Sequence, residues 1–463
     1  MIVFKDIFSN GMFLDGLIYS TVSRNMADGL GTFWNPHFSS TLLSDFHEHP
    51  PLAFGIQSIF FTILGESRYV DKLYSVITVV ISGYVILKIW KTLGNKNGWL
   101  PLLIWLVTPT VFWASYNNLL ENTLTIFTSL SILFYLKNIN TKKFFYLVLS
   151  GVMLSLGFLT KGFVAFFPWT FPFMLWLILK EKSFGRMVAD SATVVFFTIF
   201  PLLFLILAFP DTGISLHKYI DNQVISSIKN IVTVNSRFDI LKRLVNELAP
   251  AAGLSVLIVM LGQMRKSKIV IEKKIQRKAM AFAALGLTGV LPIMISMKQS
   301  GFYILPTYPF FSIAAGILMY PYFSSVLIKI DYKSKGFLLF KWIGYGLFTL
   351  GIIMSISYSD HFSRDKNLIK DTYAICDSIP RGTTININPD MYEEWSLHGY
   401  FARFKNISLD PDLNNKRDYL LIKSGEYSDT LNSSYSLVKL NTSDYQLFEL
   451  KKSKNRIDKN KIR

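Results

Sequence analysis

Stretches of about 20 apolar residues recur between Leu73 and Ser357, and each is long enough to cross the hydrocarbon core of a bilayer. A chain in hydrocarbon has no water to satisfy its backbone polar groups, so such stretches must fold as helices. They lie near 73–93, 99–116, 120–136, 144–160, 163–179, 187–209, 248–264, 279–297, 303–327 and 337–357. The pattern predicts an all-α polytopic membrane protein of about ten or eleven spans. Composition agrees, because 51% of the 463 residues are hydrophobic and only 17% are charged, too few charges for an ordinary soluble enzyme. The lipid bilayer is therefore an expected partner. Nucleic acid is not, since the net charge of +17 is accounted for by basic cytoplasmic loops. A single cysteine, Cys376, excludes an internal disulfide framework and any multi-cysteine metal site.

The linkers alternate in charge. Lys88, Lys91 and Lys96 fall near one, and Lys137, Lys142 and Lys143 two linkers later. Lys180, Lys182 and Arg186 follow, then Arg265 to Lys278, then Lys329 to Lys341. The positive-inside bias assigns this set to the cytoplasm. The other linkers and the tail then lie outside, in a plasma (inner) membrane with the chain crossing many times. The segment 52–64 is apolar but short for a crossing, and reads as a helix lying in or re-entering the outer interface. Residues 1–72 are then an external first loop, for which a preceding delivering helix is expected.

Two domains follow: a membrane-embedded part over 1–357 and a soluble extracytoplasmic α/β domain over 358–463. In the tail, 368–379 and 393–401 read as helices and 383–388 and 419–423 as strands. Residues 435–440 and 446–451 read as a hairpin around Asn441-Thr442-Ser443-Asp444, followed by a basic end expected to be disordered.

Polar residues gather where apolar stretches end on the outer side. Asp15 stands between Gly11-Met12-Phe13-Leu14 and Gly16-Leu17-Ile18-Tyr19. It is either a general base or a turn residue of an Asp-Gly pair. Tyr19 is four residues on and shares its helical face, and Arg24 offers a planar fork for phosphate. His47-Glu48-His49-Pro50-Pro51 is held out of helix by its prolines and offers acid–base groups. A metal there lacks the helical zinc spacing. Glu121 opens one span, where a carboxylate also simply suits a helix N-terminus. Lys161 and Lys298 end spans, where a lysine also simply snorkels. Together with Arg24 they set cations on the side that usually lacks them, which points to an anionic ligand. His217, in the external loop 210–247, reads as an ordinary loop histidine.

Asp15, Tyr19 and Arg24, then Glu48-His49-Pro50-Pro51-Leu52, then Leu159-Thr160-Lys161-Gly162, then Lys298 with Tyr303-Ile304-Leu305-Pro306, occur in this order. In that order and sidedness the chain resembles the glycosyltransferase-C superfamily, on the branch of the lipid A aminoarabinose transferase and the protein O-mannosyltransferases. The likeness covers about residues 10–320. It implies that Asp15 is the catalytic acidic residue of the first external loop. Glu48 would then lie in the active cavity and help hold a divalent metal, with no other cofactor implied. The basic residues would bind the phosphate of a polyprenyl-linked sugar. Two departures stand out: Gly16 where a second acid is common, and His49 where lysine is common.

The resemblance implies transfer of a hexosyl or pentosyl sugar from a polyprenyl-phosphate donor to an extracytoplasmic acceptor, which is a lipid, glycan or protein. Asp15 and Glu48 are the catalytic pair. Tyr19, Arg24, His49, Glu121, Lys161, Lys298 and Tyr303 are the candidates for binding donor phosphate or substrate. The alternative is a transporter or flippase for a lipid-linked or anionic solute. That class favours ionisable groups at the bilayer midplane, and here they stand at the external ends.

Overall fold

The computed structural model describes residues 6–229, 231–265, 269–328, 330–426 and 434–451. Helix α1 (Leu14–Ala27) starts where Phe13 turns extended, with Asp15 in its first turn and Arg24 in its last, both favoured by the helix dipole. Helix α2 (Leu52–Leu64) begins after the proline pair and is ~20 Å long, too short to cross. Then come α3 (Val70–Thr92), α4 (Trp99–Leu106) and α5 (Pro109–Ala114). The span expected over 99–116 is thus divided. Thr108 is extended, as a residue before proline tends to be, and Pro109 opens a new helix.

The bundle continues with α6 (Leu120–Thr141), α7 (Phe145–Lys161), a 3₁₀ turn (Gly162–Thr170) and α8 (Phe171–Leu179). After it come α9 (Phe184–Ala208), α10 (Pro210–Tyr219), α11 (Ser226–Lys229), α12 (Asp239–Arg265), α13 (Lys273–Val290), α14 (Tyr308–Leu327) and α15 (Lys335–Ser357). Seven helical stretches among the described residues are long and apolar enough to cross a membrane. One of these, Phe145–Leu179, merges two of the expected spans. It nevertheless folds back on itself. Lys161 pairs with Glu121 at the start of α6, while Lys182 donates to the Tyr135 hydroxyl at 3.2 Å. Those two α6 positions are ~21 Å apart along the helix. The reversal sits at Gly162, whose φ of +72° suits glycine, and where a Cβ would lie 1.8 Å from the Tyr219 hydroxyl.

Helix α6 is central, buried between α3 and α7. Trp90, Tyr135, Leu154, Phe171, Phe282, Tyr308 and Phe310 fill the core around it. Helix α15 is the opposite case, with Leu339, Phe340, Trp342 and Phe348 exposed, as a helix facing lipid would be. The basic linkers converge at one end: the Asn140 side chain donates to the Thr92 carbonyl at 2.8 Å, and Lys274 pairs with Glu181 at 3.2 Å.

After α15 come α16 (Lys366–Ser378), β1 (Thr384–Ile387), α17 (Trp395–Lys405), β2 (Ser408–Asp410), β3 (Tyr419–Lys423), β4 (Tyr435–Leu437) and β5 (Tyr445–Leu450). They form a five-stranded sheet in the order β2-β1-β3-β5-β4. β1 runs parallel to β2 and β3, and β5 antiparallel to β3 and β4. The expected hairpin is β4–β5, with Tyr435 opposite Leu450. The three-residue β2 was not expected, being too short to carry an alternation signal. The basic end of the chain, 452–463, lies outside the described residues.

Helix α17 lies directly on α1. The Leu17 side chain fills the space beside Gly399, where a Cβ would come within 2.6 Å of it. Arg403 donates through Nε to Ser20 at 2.8 Å and to Asp71 at 3.1 Å, all buried. Breaking a buried pair leaves a charge uncompensated, so Arg403→Ala should destabilise the protein by about 3–5 kcal/mol. Thermal unfolding in detergent tests this, and an unchanged midpoint would show that the contact is dispensable.

Candidate active site

The site is assembled from five segments. Asn117 and Asn118, ahead of α6, hold the start of α1: Phe13 donates its N–H to the Asn117 side chain at 2.8 Å, and Asn118 donates to the Gly16 carbonyl at 3.1 Å. Contact is so close that a Cβ at residue 16 would stand 1.9 Å from the Asn117 carbonyl oxygen. A second acid at that position has no room, which explains the glycine.

Asp15, Tyr19, Glu48, His49, Lys161, Lys298 and Tyr303 line one polar cavity of about 200 Å³, together with Phe13, Gln223 and Phe302. Residues spread over nearly 290 positions thus meet at one point. Burial pushes the Asp15 carboxyl above its ordinary range, and the fields of Lys161 and Lys298 pull it part of the way back. Burial likewise raises Glu48, opposed by Lys298 and reinforced by the Asp15 charge. The two carboxylates therefore share one field.

Tyr19 and His49 form a hydrogen bond of 3.0 Å between the hydroxyl and Nε2. Burial and the two lysines push His49 well below the usual imidazole range, so it is neutral at pH 7. Its Nδ1 is buried without a partner among the described residues. Glu121 does not line the cavity. It stands behind Lys161, bonded to the ammonium through one oxygen, and so aims that cation.

One further expectation is corrected. Arg24 does not reach the cavity. It lies ~14 Å further along α1 than Asp15, buried against the tail. Its guanidinium donates to the Ala402 carbonyl at 2.7 Å and pairs with Glu66 at 3.3 Å and Asp28 at 3.5 Å. Arg24 joins the tail to the membrane part. His217 is an ordinary surface histidine, as expected: it pairs with Asp221 at 3.1 Å, outside the cavity. Sequence reasoning missed Gln223, whose side-chain oxygen accepts from the Lys298 ammonium at 3.4 Å. It sits in a π-helical turn, Ile220–Ile225, a form often found at functional sites. No period or motif announces such a turn.

A second, mostly apolar cavity of about 490 Å³ adjoins the first. It shares His49, Lys161, Gln223, Lys298 and Tyr303, and continues along Phe163, Phe166, Val224, Ile228, Pro292 and Ile293. A charged space and an apolar one thus share these five residues as a common wall. Among the described residues no group of three or more His, Cys, Asp or Glu converges, and two ammonium groups occupy the space beside the two carboxylates.

Residues 48–205 match the model of the dolichyl-phosphate-mannose-protein mannosyltransferase family. No curated protein sequence matches the chain. Among solved structures, ArnT from Cupriavidus metallidurans in the apo state is similar at 13% identity and a TM-score of 0.67, over 96% of this chain and 95% of that one. The same protein bound to undecaprenyl phosphate is similar at 14% identity and a TM-score of 0.66, over 96% of each chain. The apo oligosaccharyltransferase of Archaeoglobus fulgidus is similar at 11% identity and a TM-score of 0.52, over 96% of this chain and 71% of that one. At these identities the structural likeness concerns the fold. The chain thus has the fold of the glycosyltransferase-C membrane proteins and resembles the branch of the aminoarabinose transferases and protein O-mannosyltransferases.

Proposed function

We propose that this protein transfers a sugar from a polyprenyl-phosphate carrier to an acceptor on the outer face of the plasma membrane. The observation that carries the proposal is the adjoining pair of cavities. A lipid phosphate needs cations and its tail needs an apolar channel, and Lys161 and Lys298 stand where the two spaces meet. One solved relative in fold is bound to undecaprenyl phosphate.

The acceptor hydroxyl or amine gives its proton to the Asp15 carboxylate as its oxygen or nitrogen attacks the anomeric carbon. The bond from that carbon to the phosphate oxygen breaks, and its electron pair leaves with the polyprenyl phosphate. Lys161 and Lys298 stabilise the charge that develops there in a partly dehydrated space. A single displacement inverts the anomeric centre. Glu48 orients the acceptor, and Tyr19 fixes the neutral His49 beside the phosphate. Residues 1–357 form the membrane part, and 358–463 an external domain seated on α1.

Incubating purified protein with polyprenyl-phosphate-linked hexoses and pentoses, and measuring release of free polyprenyl phosphate, tests the reaction. Transfer of intact donor across a vesicle membrane, with no cleavage, would favour the transporter instead. Orientation has its own test. Ser40 is exposed and lies in the first loop, and Cys376 is buried. In a Ser40→Cys variant, a membrane-impermeant maleimide should label intact cells. Labelling only after lysis would put the site on the cytoplasmic side.

A further inference from the structure

A cavity of about 660 Å³ with a charged lining lies at the opposite end of the bundle from Asp15 and takes no part in the proposed reaction. It is enclosed by the ends of α3, α6 and α8 and the beginnings of α9 and α13. Four cations face it: Lys142, Lys182, Arg186 and Lys278. Glu181 is the one carboxylate in its lining, and Lys274 pairs with it at 3.2 Å. Asp190, which is buried, engages Lys182 at 2.6 Å and Arg186 at 3.0 Å through its Nε. The two terminal nitrogens of Arg186 make no hydrogen bond among the described residues, and Lys142 and Lys278 make no ion pair there. The lining therefore keeps a net positive charge and has unspent donors. The rest of the wall is carbon, from Leu136, Leu175 and Phe282 among others.

We infer that this cavity binds the phosphate headgroup of an anionic membrane lipid. The volume falls within the ~300–1,000 Å³ range of small-molecule sites. Arg186 offers a planar fork and the lysines offer point charges for a phosphodiester. The carbon wall accommodates the first methylenes of the acyl chains. A soluble phosphate would meet the same cations but gain nothing from that wall. Basic pockets between spanning helices are a known physical solution to holding acidic headgroups. The inference stands apart from the transfer reaction, since it uses none of its residues.

Full-length protein, delipidated in detergent, is titrated with phosphatidylglycerol, phosphatidylcholine or inorganic phosphate and read by native mass spectrometry. One phosphatidylglycerol should bind in preference to phosphatidylcholine. The double variant Lys142→Gln/Lys278→Gln should bind it about tenfold more weakly or worse. Lys142→Arg/Lys278→Arg keeps the charge and should keep the lipid, which separates loss of charge from loss of fold. Lys333→Gln/Lys335→Gln removes exposed charge away from the cavity and should change nothing. Binding of inorganic phosphate with no gain from the lipid would keep the anion site and assign it a soluble ligand. Equal binding of both lipids, or unchanged phosphatidylglycerol binding in the glutamine double variant, overturns the inference.

Discussion

Asp15→Asn is expected to abolish sugar transfer, lowering the rate by about 10²–10⁴-fold, while leaving the protein folded in the membrane. Asparagine keeps the shape of the side chain but takes up no proton at neutral pH. The wild-type pH profile should carry the matching signature. A base must be ionised to act, so activity falls as pH drops through the pKa of Asp15. Burial sets that pKa above the ordinary aspartate value of 3.8. The acid limb of kcat/KM should therefore lie higher than an exposed aspartate would place it. A variant with near-parental activity would remove Asp15 from the mechanism. Glu48 shares the same field, and its own acid limb is separated by repeating the profile in Glu48→Gln.

Lys298→Met should weaken binding of the polyprenyl-phosphate donor by about 10–100-fold, the range for one hydrogen bond to a charged group. Methionine retains most of the stem and deletes the charge. Because Lys298 holds the Asp15 carboxyl down, the same variant should also move the acid limb to higher pH. A lysine that merely snorkels to the interface would produce neither change. Lys161 is harder to interrogate alone. Its ammonium is bonded to buried Glu121, so Lys161→Met leaves that carboxylate uncompensated at a cost of about 3–5 kcal/mol. The double variant Glu121→Gln/Lys161→Met avoids that cost and isolates the effect on the donor. If donor affinity is unchanged in both variants, the phosphate site is elsewhere.

The sequence by itself determined the class of the molecule, because apolar stretches of span length leave the backbone no choice but helix. It also separated the two ends of the bundle, since the charge of the linkers is local information. Polar residues standing at span ends, Asp15, Glu48, Lys161 and Lys298 among them, were legible for the same reason, and the structure brings those four to one cavity. The tail was legible as helix, strand and hairpin, except for β2.

What only the tertiary structure decided depends on contacts between distant positions. Arg24 has the chemistry of a phosphate ligand, yet α17, nearly 380 residues on, covers it and takes one of its donors, while Glu66 and Asp28 take its charge. Gly16 looks like a departure from a pattern until the Asn117 carbonyl is seen to fill the space of a side chain. Gln223 enters the site through a π-helical turn that no residue spacing encodes. Glu121 and Lys161 are each ambiguous at a helix end, and their pairing assigns the first to aim the second. A side chain's type is written in the chain, but the partners competing for its hydrogen bonds and charge are chosen by packing, and those partners decide its role.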